Sequence, residues 1–173
     1  MCRRRIPPSS RRLTVPLKST VRHHMPTSPY LLAQLDSITD AENPEQLASL
    51  EKGLAGLSPG DCEESDFRAL LAVLERFPLS DGFESFWSIV HFLEACEGYE
   101  PLLVESVRRQ PAELTLTMLN RLLNADFTHC GETSYVSLLQ LVAASGAIAA
   151  IAPELRALAA HFVEYQGRRG SDA

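Results

Sequence analysis

Five histidines and four cysteines are the side chains of this 173-residue chain best suited to nucleophilic or metal chemistry, and their placement favours neither. Cys2, Cys62, Cys96 and Cys130 stand singly, with no C-x-x-C pair, so they form neither a zinc knuckle nor the framework of a small disulfide-bonded domain. His129 and Cys130 are neighbours in a stretch that reads as a loop. His91 lies five residues before Cys96, which sets the two on different faces of a helix. His23 and His24 fall in a segment too polar to fold, where any metal binding would be incidental. No G-x-S-x-G, P-loop, G-x-G-x-x-G or H-E-x-x-H pattern is present. The expectation is a protein that is not an enzyme, with no catalytic residue, metal site or cofactor.

Two polar stripes carry more information. Trp87, His91 and Glu94 recur at i, i+4 and i+7 and share one edge of a helix, and Thr117, Asn120, Arg121 and Asn124 make a comparable stripe two helices later. One account is structural: Glu94 pairs with Arg121, Asn124 caps its helix or orders the next loop, and Trp87 is core. The other is a partner-binding surface made of Trp87, His91, Glu94, Arg121 and Asn124 with Asp81, Glu84, Glu97 and Glu100, and with Glu105 nearby in sequence. Tryptophan and arginine are the types that most often dominate interfaces energetically.

Charge favours a partner of definite sign. The formal net charge is −6, but Arg3, Arg4, Arg5, Arg11, Arg12, Lys18 and Arg22 all precede Pro29, where no acid accompanies them. The remaining chain holds nine bases against twenty-two acids, a difference of −13. Such a surface repels nucleic acid and steers basic partners towards it, and with no spanning helix no membrane partner is expected. Residues 1–27, with four prolines and one sign of charge, read as a disordered basic arm, a nucleic-acid or targeting segment, or the product of a misplaced start at a chain whose true beginning is Met25.

The elements that must position these side chains are helical throughout. Ser28-Pro29 opens YLLAQLDSI, whose face is Tyr30, Leu31, Leu35 and Ile38. Asn43-Pro44 with Gln46 opens a helix through Leu54, and Asp61 with Glu64 opens one lined by Phe67, Leu70, Leu71 and Leu74. Asp81 and Glu84 form a capping box for a central helix whose stripe is Phe86, Trp87, Val90 and Leu93, widened by Ile89 and Phe92, so that it must lie between two neighbours. Further helices run from Tyr99 or Pro101 to Arg109, from Gln110-Pro111 to Asn124, from Thr133 to about Gly146, and from Ala152-Pro153 to Gly167. The alanine-rich run from Val136 through Ala152 is broken by Gln140, Ser145 and Gly146 and reads as core, not as a spanning segment. No strand pattern of period two intervenes. The fold class expected is all-α: antiparallel helical hairpins in a compact bundle or a short HEAT- or armadillo-like stack, one domain over 28–167 with a flexible tail over 168–173.

The run FxxFWSIVHFLE, then GYEPLLVESVRRQP, then MLNRLLN resembles a pattern of small helical bacterial immunity proteins from polymorphic-toxin and contact-dependent inhibition systems. It rests on Phe83, Phe86, Trp87, His91, Glu94, Tyr99, Arg109, Pro111, Asn120, Arg121 and Asn124. The resemblance implies a cytoplasmic, all-helical protein that binds and blocks one cognate toxin and has no catalysis of its own. The segment before Pro29 has no counterpart in it. The acidic body agrees in kind, since a basic nuclease is a toxin that a negative surface would suit. The alternative expectation is a HEAT-like scaffold or adaptor that takes a helical peptide along its groove.

Overall fold

The computed structural model describes residues 29–144 and 151–171. The segment before Pro29, and the helix end expected near Gly146, fall outside those residues. Among them are eight α-helices: α1 (Pro29–Asp36), α2 (Pro44–Ala55), α3 (Glu64–Arg76), α4 (Ser85–Glu94), α5 (Glu100–Arg109), α6 (Glu113–Asn124), α7 (Tyr135–Ala143) and α8 (Pro153–Ser171). The all-α reading of the sequence holds, and each expected helix is present.

Their starts show where local chemistry and the fold disagree. Asn43 caps α2 as expected: its Oδ1 accepts from the backbone N–H of Glu45 at 3.0 Å and of Gln46 at 3.1 Å, ahead of Pro44 in the first turn. The cap of α3 is shifted. Pro59–Asp61 winds into a 3₁₀ turn, so Asp61 is not the cap, and Glu63 and Asp66 form the capping box. Asp66 accepts from the Glu63 N–H at 2.8 Å. For α6 the start moves from Gln110-Pro111 to Glu113, because Gln110 ends α5 in an extended conformation (φ −155°, ψ 91°), as a residue before proline prefers. Thr115 Oγ1 then accepts from the Ala112 N–H at 2.9 Å. At its other end α8 continues past Gly167 to Ser171.

The central helix departs most. The expected box of Asp81 and Glu84 is absent: Gly82, Phe83 and Glu84 all have positive φ (57°, 49° and 71°), and Glu84 makes no side-chain capping bond. A left-handed turn is needed here because Pro78 is tied to the start of α6 by its carbonyl, which accepts from Glu113 N–H at 2.8 Å, and the chain must swing back into α4 within a few residues. Gly82 lies against the Phe86 ring, where a Cβ would approach within 2.9 Å, so only glycine fits.

A second difference is a small hairpin. His129–Cys130 pairs antiparallel with Thr133–Ser134 across Gly131 and Glu132, the glycine at φ 56° supplying the first position of a two-residue turn. Ser134 then caps α7, its Oγ accepting from Ser137 N–H at 3.3 Å.

The packing is a two-layered stack of four helical hairpins. Odd-numbered helices neighbour one another in order, α1 with α3, α3 with α5, α5 with α7, and even-numbered ones do the same, α2 with α4, α4 with α6, α6 with α8. The hairpins α1/α2, α3/α4, α5/α6 and α7/α8 join the layers. Between them lies one apolar core, to which α4 gives Phe86, Ile89, Val90 and Leu93, and α3, α5 and α6 give Leu70, Leu74, Leu103, Leu116 and Leu119, all fully buried or nearly so. Each such side chain contributes about 1.5–3 kcal/mol by leaving water. Trp87 and Phe92 flank this stripe, half-buried.

Candidate protein-binding surface

Because α4, α6 and α8 are successive members of the even layer, the polar stripes of α4 and α6 lie side by side. Glu94 takes Arg121 in a two-point ion pair, Nε to Oε1 at 2.6 Å and Nη2 to Oε2 at 2.8 Å. Asn120 and Asn124 face α8, where Gln166 Nε2 donates to the Oδ1 of each at 2.7 and 2.8 Å, and Arg169 donates to Asn124 Oδ1 at 3.1 Å. Ser88 donates to Glu51 of α2 at 2.8 Å, so each neighbouring pair in this layer has a polar tie. The structural account of Glu94 and Arg121 is therefore correct. That of Asn124 is not: it neither caps α6 nor orders the following loop, but fastens α6 to α8.

The odd layer has matching ties. Arg76 donates to the carbonyl oxygens of Leu35 and Ile38, Arg68 bridges Glu64 and Glu105 at 2.7 Å each, and Arg109 grips Glu75 at 2.6 and 3.0 Å. The Glu75 carboxylate, almost wholly buried, also accepts from Ser106 Oγ at 2.6 Å. Glu75, Gln166 and Arg169 escaped the sequence reading because their partners lie more than thirty positions away.

Seven of the nine candidate residues gather at opposite ends of α4, which at ten residues is about 15 Å long, and Trp87 and His91 lie between them. At the C-terminal end, Glu94, Tyr99, Arg121, Asn124 and the exposed Phe127 line an open pocket of about 450 Å³. Its charge is internally balanced, and burial together with Glu100 and Glu94 pushes the Tyr99 phenol above its usual range, so it stays protonated. Trp87 and His91 lie along the same edge, ring centroids 5.9 Å apart, the indole half-buried and the imidazole exposed. Glu97 is exposed in the following loop and Glu100 half-buried at the start of α5.

At the N-terminal end the balance is lost. Asp81 lines a second cleft, of about 300 Å³, with Glu42, Glu113, Leu79 and Phe83. No basic residue among those described lines it. Leu79 is 48% and Phe83 70% exposed, and Glu84 stands exposed beside them. Phe83 was legible only as part of a motif. Glu42 and Glu113 carried no signal, being brought in by the turn before α2 and by the start of α6.

Seven of the nine basic residues after Pro29 are engaged within the chain: Arg68, Arg76, Arg109, Arg121, Arg168 and Arg169 in ion pairs and Arg108 on Thr133. Asp81, Glu84, Glu97 and Glu113 have no side-chain hydrogen bond or ion pair among the described residues. Among those residues no group of three or more His, Cys, Asp or Glu side chains is placed to hold a metal ion, and no helix is long and apolar enough to cross a membrane. No protein-family model, curated protein or solved structure matches the chain.

Proposed function

We propose that this chain is an immunity protein that binds and neutralises a cognate bacterial toxin in the cytoplasm through the acidic face of its helical stack. The observation that carries this reading is the asymmetry of pairing: seven of the eight arginines after Pro29 are engaged internally, while Asp81, Glu84, Glu97 and Glu113 point their charge at water. A surface of this kind attracts a basic protein and speeds its encounter, and it imitates the charge of a nucleic acid in front of a nuclease. The resemblance of Phe83 to Asn124 to immunity proteins supports a toxin as that partner. The proposal predicts a toxin gene beside this one; expressing that toxin domain with and without the chain tests it: survival restored by co-expression is expected, and unchanged killing removes the proposal.

The two-layered stack supports a second reading, a scaffold that receives helical segments on its even layer. Recovery of many unrelated partners, with no toxin gene adjacent, would favour that reading.

A further inference from the structure

Phe83 is the most exposed large apolar side chain of the described residues, and with Leu79 it forms the lip of the cleft that Glu42, Asp81 and Glu113 line. An exposed aromatic beside an exposed leucine loses free energy to water unless a partner covers it, and a rigid aromatic costs little conformational entropy when it docks. Its backbone is held by the turn, since Gly82 N–H donates to Ser80 Oγ at 3.1 Å and Phe86 N–H to the Asp81 carbonyl at 3.0 Å. The occupant is specified by charge. Carboxylates with no cation opposite them, arranged around an apolar lip, complement a segment that presents arginine or lysine next to an aliphatic side chain.

We infer that this cleft, with Phe83 as its anchor, is where the protein partner inserts a basic, amphipathic segment. The inference rests on the acidic-surface reading above and narrows it to one end of α4. By contrast the pocket at the other end, where Glu94 already holds Arg121, offers no unpaired charge to such a segment.

The test is an amide-shift titration of the ¹⁵N-labelled full chain with two synthetic peptides of equal length, one alternating arginine and leucine, the other glutamate and leucine. Shifts are expected at Leu79 to Glu84, Glu42 and Glu113 with the first peptide alone. Phe83→Ala should weaken its binding on the order of tenfold with no change in melting temperature. Should Phe83→Ala disturb the fold, Glu42→Lys reports on the same cleft, and Glu97→Lys, at the far end, should leave the affinity unchanged. Shifts confined to the region of Glu97 and Glu100 would overturn the cleft assignment while leaving the acidic-surface reading standing. Equal response to the glutamate peptide, or shifts at the cleft on concentrating the chain alone, would overturn it in favour of apolar or self-association. Absence of any response to the arginine peptide, anywhere, would overturn both.

Discussion

Glu75 and Glu94 each hold an arginine from another helix through two hydrogen bonds, yet their surroundings give the two pairs different weight. The Glu75 side chain is 11% exposed and Glu94 21%, and Glu75 also takes Ser106. Arg109→Ala removes the charge that compensates a nearly buried carboxylate and should destabilise the fold by about 2 kcal/mol. Arg121→Ala leaves Glu94 with access to water, so the loss should stay below about 1 kcal/mol. Urea denaturation of the two variants checks the order, and equal losses would mean that burial does not set it. Gly82 belongs to the same scale. Gly82→Ala meets both a left-handed φ and the Phe86 ring, and a loss of about 2 kcal/mol is expected in the same measurement.

Among the elements, α4 shows how a stripe's width is decided by neighbours. Phe86, Ile89, Val90 and Leu93 take the fully buried positions because α2, α3 and α6 close over them. Trp87 turns to the flank, so Trp87→Ala should cost about 2 kcal/mol, less than the 3 kcal/mol or more of a fully buried tryptophan. Thermal unfolding of that variant beside Phe86→Ala, which should cost more, settles the ranking. At α2 the cap is local and the expected loss is modest: Asn43→Ala should remove about 1 kcal/mol.

Across the whole molecule, two thresholds separate folding from function. Burial pushes the Cys62 thiol from its ordinary 9.0 up to about 12 and the Tyr135 phenol from 10.0 to about 12. Both are raised above their unfolded values, so the stability they contribute is fully present below pH 9 and is lost as pH rises towards 12. Melting temperatures recorded across that alkaline range should fall, whereas groups that ionised unperturbed would leave them level. The exposed acids behave oppositely. Reversing Asp81, Glu84 and Glu97 together should leave the melting temperature almost unchanged, and should weaken and slow association with a basic partner. A drop of many degrees would assign these acids to the fold's own ion-pair network.

What the sequence determined alone is the part of the structure that depends on neighbours a turn apart. Helix periodicity, the Asn43-Pro44 cap and the apolar face of Phe67, Leu70, Leu71 and Leu74 all follow from residues within one element, so eight helices and an all-α fold were legible. The tie between Glu94 and Arg121 was legible too, since two complementary stripes of like length have few other partners. Tertiary structure decided the rest. The left-handed turn at Gly82 to Glu84 replaced an apparent capping box because Pro78 is fixed by α6, a constraint no local pattern contains. Stacking in two layers brought Asn124 to Gln166, Glu75 to Arg109, and Glu42 and Glu113 to Asp81. Long-range proximity of this kind is fixed by the packing of the core, and it alone divides the acids into those that hold the stack together and those left facing water.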